Sequence, residues 1–541
     1  MITAKPTHNE EIKAVNPTLA GSVASTLANP ATDRFSPDDD YFLKFHGIYP
    51  GEDRDARKTG TKHYQFMVRT KLPAGVLKAE QYLACDELSE RFGNGTLRIT
   101  SRQDFQFHGV AKTALGPLVK SINDALLTTL GGCGDVHRNV MAPPTPSQSP
   151  VAEQVIADAR RVSNSVLPQT PAYHSIWIEG VQLDLNNPDF TDPLYGKTYL
   201  PRKFKTAFAI PPLNDVDVFS NDLGFVTIVE GDRIAGYNVL VGGGLGMTHN
   251  NPATFPRLAD VLGFVAPEFL IEVTRAVVSI HRDFGDRTNR KHARLKYVLA
   301  EKGATWCREE LERRLGFKLE EPRPFQFTRQ GDLFGWHQQL DGRWFLGVYV
   351  EAGRIKGALK TALRRVVSSF QPEVRLTPSQ NLLLVNIPAE HRATISLLLD
   401  GIGTPGAVRR ASMACVALPT CGLALAEAER FLPSLLDEFE KALTELGLQD
   451  DEITLRMTGC PNGCVRSYTA EIGLVGRSPG LYHLFLGGNA GNTRLNQLYK
   501  KDVKSAELVP TLVPLLARYK QERQLGERFG DWAARSLEFP K

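Results

Sequence analysis

The first copy of an internal repeat reads Val68-Arg-Thr-Lys-Leu-Pro-Ala-Gly75, continues through a helical stretch around 78–92, and ends in Leu97-Arg-Ile-Thr-Ser-Arg-Gln-Asp-Phe-Gln106. The second copy reads Val348-Tyr-Val-Glu-Ala-Gly353, then a helical stretch around 357–369, then Val374-Arg-Leu-Thr-Pro-Ser-Gln-Asn-Leu-Leu383. Both copies run strand, glycine turn, amphipathic helix and strand, and both contain Arg-x-Thr-x-x-Gln at the same place. An internal repeat of this length predicts two related half-domains that form one pseudo-symmetric domain.

The composition is that of an ordinary globular protein. The chain has 541 residues, of which 42% are hydrophobic and 23% charged, and this length predicts two to four domains. The formal net charge of +4 is too small to indicate a nucleic-acid partner, although it allows an acidic partner or an anionic ligand. There is no apolar run long enough for a membrane span and no secretory signal at the N-terminus, so we expect a cytoplasmic protein.

The remaining segments complete the predicted organisation, which is α+β in class. Asn-Pro steps at 16–17 and 29–30 predict an extended N-terminal arm over residues 1–60. The repeat assigns 61–140 and 321–405 to the pseudo-symmetric domain, and 141–320 and 406–541 to two further α+β domains. Within the last of these, we expect a helix that begins near Pro433 and runs to Leu446, with leucines at helical spacing on its buried face.

Four of the seven cysteines form two close pairs that are typical of metal ligands. Cys415 and Cys421 are separated by five residues, whereas Cys460 and Cys464 are separated by three. An iron–sulfur cluster tolerates such unequal spacings, and the Cys460-Pro461 step is also found in ferredoxins. Zinc remains an alternative, although its closed sites usually pair cysteines two to four residues apart, and four structural cysteines remain another. The single cysteines are interpreted as small buried hydrophobic residues: Cys85, Cys133 and Cys307.

Several basic residues lie inside strand-like or apolar stretches. Lys203 and Lys205 are two apart in Leu-Pro-Arg-Lys-Phe-Lys-Thr, so in a strand they point to the same side, where their charges repel unless an anion lies between them. Each basic segment alone is explained as readily by a solvated edge strand. Together with a metal cluster in the same chain, they favour a deep anion-binding cavity.

The glycine run Gly242-Gly-Gly-Leu-Gly246 does not match a dinucleotide fingerprint. The third glycine of that fingerprint belongs at position 247, which is Met247, and no helix obviously starts there. Electrons for any redox reaction must therefore come from another protein.

Five motifs together resemble one known family. They are Ser-Met-Ala-Cys415-Val-Ala-Leu-Pro-Thr-Cys421 with Thr-Gly-Cys460-Pro-Asn-Gly-Cys464, Thr-Ser-Arg102-Gln-Asp-Phe-Gln106-Phe-His108-Gly, His-Arg138-Asn-Val, Tyr-Leu-Pro-Arg-Lys203-Phe-Lys205-Thr, and Leu-Val-Gly-Gly-Gly-Leu. The chain resembles the sirohaem- and [4Fe–4S]-containing sulfite and nitrite reductases over nearly its whole length, and within them the haemoprotein subunits of assimilatory sulfite reductase. The duplicated ferredoxin-like half-domain is also a feature of that family, whose architecture has three domains.

The resemblance implies a role for each matching residue. The [4Fe–4S] cluster would be held by Cys415, Cys421, Cys460 and Cys464. The Cys464 thiolate would also be the axial ligand of the sirohaem iron. Sulfite would be bound by Arg69, Arg138, Lys203 and Lys205. The carboxylates of the macrocycle would be held with the help of Arg98, Arg102, Gln106 and His108.

The activity implied is the six-electron reduction of sulfite to sulfide in assimilatory sulfur metabolism, which feeds cysteine biosynthesis. Six-electron reduction of nitrite to ammonia is the alternative, but nitrite-reducing relatives tend to have Asn where this chain has Lys205. A non-catalytic zinc or iron–sulfur interaction module is a second class, which would lack haem-like absorption. The electron donor is expected to be an NADPH-dependent flavoprotein subunit, for which residues 1–60 are a docking arm, or a small acidic ferredoxin.

Overall fold

The computed structural model describes residues 5–60, 62–146, 149–172, 177–178, 181–182, 189–401 and 405–540. The helices are α1 (His8–Val15), α2 (Val23–Ala28), α3 (Pro37–Leu43), α4 (Ala79–Phe92), α5 (Leu115–Asp124), α6 (Ala152–Ser165), α7 (Leu270–Phe284), α8 (Leu295–Leu315), α9 (Gly357–Phe370), α10 (Arg392–Leu398), α11 (Ala407–Arg410), α12 (Leu432–Leu446), α13 (Leu508–Glu522) and α14 (Phe529–Ser536). In the described part of the chain, no helix combines the length and the apolar character that a membrane crossing requires.

The strands of the described residues, with short 3-10 turns between some of them, build four five-stranded sheets and one short hairpin. They are β1 (Ile48–Glu52), β2 (Tyr64–Arg69), β3 (Val76–Leu77), β4 (Leu97–Ile99), β5 (Phe105–Val110), β6 (His137–Met141), β7 (Trp177–Ile178), β8 (Val181–Gln182), β9 (Phe204–Ala209), β10 (Leu223–Glu230), β11 (Arg233–Val241), β12 (Asp260–Val265), β13 (Gly335–Gln338), β14 (Trp344–Val348), β15 (Arg354–Ile355), β16 (Glu373–Leu376), β17 (Leu382–Ile387), β18 (Met413–Ala414), β19 (Leu455–Thr458), β20 (Ile472–Ser478), β21 (Leu481–Leu486) and β22 (Gln497–Lys504).

The repeat forms two sheets that exchange a strand. The first half-domain has the order β1-β2-β5-β4-β15, and the second has the order β13-β14-β17-β16-β3. Strand β3 of the first copy therefore completes the second sheet, while β15 of the second copy completes the first. Apolar residues of both halves, including the α4 and α9 faces, pack into one core. The predicted duplicated α+β domain is confirmed, and each of its two sheets contains a strand from both halves.

A glycine allows the exchange at each of the two equivalent turns. Gly75 and Gly353 both have positive φ, of 70° and 72°. A Cβ added at Gly75 would lie 2.7 Å from the Leu376 carbonyl oxygen, and one at Gly353 would lie 2.8 Å from that of Ile99. Each glycine thus touches the backbone of the other half, where no side chain fits.

The two further domains share one topology, which the sequence analysis did not predict. Their sheets have the orders β12-β11-β10-β9-β6 and β22-β21-β20-β19-β18, with the same parallel and antiparallel pairs. Leu223 lies beside Thr206 and Ile472 beside Leu455, so the β9–β10 and β19–β20 connections are of equal length. Asp215 lies eight residues before Leu223, and Cys464 lies eight residues before Ile472, so the two residues occupy equivalent positions.

The N-terminal region differs from the predicted extended arm. It contains α1, α2 and α3, and the Asn-Pro steps lie directly after α1 and α2, because proline ends a helix rather than excluding one. Lys13 is fully buried, pairs with Glu10 at 2.7 Å, and donates to the Leu200 carbonyl at 2.9 Å. The Tyr41 hydroxyl donates to Asp135 at 2.6 Å. These contacts hold the region against the domain that contains β9.

Candidate functional site

A cationic cavity lies where the first half-domain meets both further domains. Its interior volume is about 30 Å³, and five basic side chains and one thiol lie among the residues that line it. They are Arg102, Lys203, Lys205, Arg294, Arg466 and Cys464. No carboxylate among the described residues lines this cavity, so its electrostatics favour an anion.

Strand alternation aims the two lysines into the cavity. Phe204 between them is fully buried on the opposite side, in the core, so Lys203 and Lys205 share the other face as predicted. Burial, followed by the charges of neighbouring arginines, lowers the pKa of Lys203 to about 7. Burial and then Lys203 itself lower the pKa of Lys205 well below its usual value. Within the described ranges no carboxylate pairs with either lysine, which predicts that the site binds a negatively charged ligand.

An acidic residue behind the cavity orients this strand. Asp222 accepts from the Lys205 backbone N–H at 2.9 Å and from Arg294 at 2.8 Å. Glu471 makes the corresponding pair of bonds in the other domain, to the Thr454 N–H and to Arg528, both at 2.8 Å. The same scaffold therefore holds both strands, but only the first presents lysines.

Arg69 and Arg138 lie behind the cavity rather than along its lining. Arg69 donates to Cys133 Sγ at 3.1 Å, and Arg138 Nε donates to the Gly134 carbonyl at 2.9 Å. The charge of Arg138 contributes to the lowered pKa of Lys203, so the two groups are electrostatic neighbours. When the Gln106 side-chain amide is flipped, its oxygen accepts a hydrogen bond from Arg69 Nε at 3.0 Å.

Among the four residues assigned to the macrocycle by resemblance, only Arg102 lines the cavity. Arg102 donates to Asn221 Oδ1 at 2.9 Å and to the Thr206 carbonyl at 3.1 Å. Arg98 is 1% exposed and donates to Glu429 at 2.9 Å and to the Ala414 carbonyl at 2.7 Å, so it joins the half-domain to the segment before Cys415.

Gln106 and His108 are buried on β5, and 3.1 Å separates Gln106 Oε1 from His108 Nε2. Burial, and then the charge of Arg354, hold the pKa of His108 well below its ordinary value, so the ring is neutral. The structure thus places these two side chains beneath Arg69, away from the cavity lining.

A hydrogen bond links the two segments that carry the four predicted cysteine ligands. Cys415 follows β18 and accepts from the Gly459 N–H at 3.3 Å, which links the two cysteine segments. Burial, with the charge of Cys464 as the next cause, raises the pKa of Cys460 to about 12 and also raises that of Cys415 and Cys421. Each thiol therefore lies within electrostatic range of the Cys464 thiol.

The donor set fits an iron–sulfur cluster. Soft thiolates are the groups that hold such clusters, and the positive charge of bound iron would offset the repulsion between them. Within the described ranges, no three His, Cys, Asp or Glu side chains form a group suited to a single metal ion. Cys464 alone of the four lines the cavity, so its thiol faces the cationic space.

Sequence reasoning missed Arg294 and Arg466. Arg466 lies two residues after Cys464, donates to the Ser101 carbonyl at 3.1 Å and pairs with Asp217, and its proximity to the cysteine motif was an available signal. Arg294 lies immediately before α8, and no local pattern marks it.

Comparisons with known proteins agree with this geometry. A family described as "Nitrite and sulphite reductase 4Fe-4S domain" matches residues 157–319, and one described as "Nitrite/Sulfite reductase ferredoxin-like half domain" matches 57–125 and 337–401. The four cysteines lie outside the first of these ranges.

Full-length relatives give the same result. Proteins named "Sulfite reductase [NADPH] hemoprotein beta-component" are 49% identical in Myxococcus xanthus and 47% identical in Anoxybacillus flavithermus, covering 98% of this chain and 96% and 95% of theirs. The solved structure of Mycobacterium tuberculosis NirA protein matches with a TM-score of 0.82 at 26% identity, over 98% of this chain and 97% of that one. By its half-domains, its sheet architecture and these full-length similarities, the chain belongs to the nitrite and sulfite reductase family.

Proposed function

We propose that this protein is the haemoprotein component of a sulfite reductase, which reduces sulfite to sulfide with six electrons at a sirohaem coupled to a [4Fe–4S] cluster. The observation that carries this proposal is the cavity in which Cys464 faces Lys203 and Lys205. The names of the full-length relatives support sulfite as the substrate.

The cluster would be held by the four cysteines, and Cys464 would be shared with the macrocycle. Arg102, Arg294 and Arg466 would face its carboxylates, for which the guanidinium fork is suited. When bound, the sirohaem and the cluster would supply the redox chemistry, because they can store electrons and deliver them one at a time.

The chain's own residues contribute binding and protons. Lys203 and Lys205 hold the substrate anion through charge, with Arg69 and Arg138 extending the positive field from behind. A lysine whose pKa is near 7 is only partly protonated at neutral pH, so it gives up a proton and regains it readily. Arginine stays charged under the same conditions, so proton delivery falls to the lysines.

Turnover of sulfite and nitrite by the purified holoprotein with an artificial reductant tests the substrate. We expect a higher kcat/KM for sulfite, because the paired ammonium groups suit a dianion. The matched variant Lys205→Asn should move the preference toward nitrite. A wild-type preference for nitrite would reject the proposal in favour of nitrite reduction to ammonia.

We propose an NADPH-oxidising flavoprotein as the electron donor, acting with this protein in the cytoplasm. Its support is the name of the relatives, which specifies NADPH and a beta-component. Reduction of the holoprotein by a purified flavoprotein reductase plus NADPH, compared with reduction by a small ferredoxin, distinguishes the donors. Faster reduction by ferredoxin would overturn this assignment.

A further inference from the structure

Asn221 connects the guanidinium of Arg102 to the turn that precedes β10. Arg102 Nη1 donates to Asn221 Oδ1 at 2.9 Å, and Arg102 Nη2 donates to the Thr206 carbonyl at 3.1 Å. Asn221 is buried, and its amide nitrogen donates to the Asp217 carbonyl at 2.9 Å. The oxygen and the nitrogen of this amide are therefore both used, which fixes the orientation of the side chain.

The groups that hold Arg102 are neutral. Within the described ranges, the hydrogen bonds of its guanidinium all go to amide or carbonyl oxygens, those of Asn221, Thr206 and Asn139. Its buried Nε has no hydrogen-bond partner in the same part of the chain. These bonds therefore fix the direction of the guanidinium without neutralising it, and Arg102 lines the cationic cavity.

The turn before β10 does not depend on the Asn221 amide. The Asp217 carbonyl also accepts from the Ser220 hydroxyl at 2.8 Å. In the other domain, the equivalent Arg466 carbonyl accepts from the Thr469 hydroxyl at 3.0 Å. The second turn thus keeps the same bond without an asparagine at its end.

Ala470 takes the place of Asn221 in that second turn, since the two residues directly precede the equivalent acidic residues of the two domains. The side chain of Asn496, directly before β22, donates there to the Ser467 and Ala470 carbonyls at 2.7 and 2.9 Å. The Asn496 amide oxygen, however, has no hydrogen-bond partner among the described residues. An amide nitrogen thus supports both turns, whereas the amide oxygen of Asn221 is bonded to Arg102.

We propose that Asn221 is a positioning residue of the cavity, whose amide oxygen directs the Arg102 guanidinium toward a carboxylate of the bound sirohaem. The two side chains occur together: the second half-domain has Ser379 at the position of Arg102, and the second turn has Ala470 at the position of Asn221. The inference rests on the proposed function for the identity of the bound anion, but retention of the macrocycle is measurable without turnover.

Asn221→Ala tests the proposal in the holoprotein, with Asn214→Ala as the matched control. Asn214 supports the same turn, because its Oδ1 accepts from the Val218 N–H at 2.8 Å, and its amide nitrogen donates to the Gly491 carbonyl at 2.8 Å. The rate of sirohaem loss is followed as the haem-like absorbance that stays with the oxidised protein after gel filtration. Without the bond that directs Arg102, this rate should rise about tenfold in Asn221→Ala and stay close to the wild-type rate in Asn214→Ala.

A double-mutant cycle with Arg102→Gln separates positioning from support of the turn. If Asn221 acts through Arg102, Asn221→Ala should add little to the rate of sirohaem loss in the Arg102→Gln protein. Support of the turn alone would add the same factor in both backgrounds. Should Arg102→Gln carry no sirohaem, the comparison of Asn221→Ala with Asn214→Ala decides alone.

The electron paramagnetic resonance signal of the oxidised haem provides a second readout, because it depends on how the macrocycle is seated. It should shift in Asn221→Ala and match the wild type in Asn214→Ala. Additive effects in the cycle, or a wild-type rate of sirohaem loss in Asn221→Ala, would overturn the proposal. If Asn221→Ala does not fold, Asn221→Ser serves instead, because its shorter side chain removes the bond to Arg102, and the same outcomes apply.

The outcomes also distinguish this inference from the proposed function. A wild-type protein without sirohaem would reject both. Equal sirohaem retention by the wild type and the Asn221 variants would reject only the positioning role. The expected rates in a protein that does not reduce sulfite would reject only the proposed function.

Discussion

The Ser101 hydroxyl donates a hydrogen bond of 2.7 Å to the carbonyl oxygen of Cys464. This bond joins the turn before β5 in the first half-domain to the β19–β20 loop of the cysteine-bearing domain. Arg466 strengthens the junction by donating to the Ser101 carbonyl at 3.1 Å. The position of Cys464 relative to Arg102 therefore depends on the contact between two domains, and the cavity forms only when both are in place.

Lys205→Ala should retain the cofactors and lose at least about 100-fold in sulfite turnover, because it removes a basic group from the cavity lining and, under the proposed function, a proton donor. Lys205→Arg is the matched control: it keeps the charge, so KM should change less than kcat. Steady-state kinetics on protein of measured iron and sirohaem content check this. Unchanged turnover in a fully loaded Lys205→Ala protein would remove the residue from the mechanism.

The pH dependence should reflect Lys203, whose pKa is lowered to about 7. As pH rises through that value, Lys203 loses its proton and its attraction for the anion, so the KM for nitrite should rise. Lys203→Arg stays charged, and its KM should therefore change less over the same range. Parallel KM profiles for the two proteins would show that another group controls binding.

The four cysteines should divide into two spectroscopic classes. Cys464→Ser should alter both the haem-like absorption and the cluster signal, because this thiol alone faces the cavity. Cys421→Ser should alter the cluster and leave the haem band close to that of the wild type wherever the macrocycle is retained. Absorption and electron paramagnetic resonance spectra, with iron analysis, compare them, and identical effects of the two variants would contradict a shared role for Cys464.

Gly75→Ala should destabilise the half-domain pair more than Gly60→Ala does. Both glycines have positive φ, so each substitution costs about 1 kcal/mol in backbone strain. Only the Cβ at position 75 meets a backbone carbonyl, at 2.7 Å, whereas nothing lies within 4 Å of the one at position 60. We therefore expect a total loss of about 3 kcal/mol or more for Gly75→Ala. Calorimetric unfolding midpoints measure the difference, and equal midpoints would show that the strand exchange adapts.

Local sequence patterns predicted much of this protein. The leucine spacing after Pro433 predicted α12, which spans Leu432–Leu446 with its apolar face buried. Alternation placed Lys203 and Lys205 on one face, and the paired spacings singled out the four cysteines. These features could be predicted because side-chain periodicity and motif spacing express contacts between residues close in the chain.

The tertiary structure alone determined the arrangement of the site. The exchange of β3 and β15 and the common topology of the two further domains arise from backbone pairing over long separations, which leaves little trace in residue type. Arg294 and Arg466 reach the cavity because separate domains pack together there, and Arg98 lies in an interface for the same reason. Packing between distant segments thus decides which cations line the cavity. The sequence of each helix or strand, by contrast, largely decides which residues form that element.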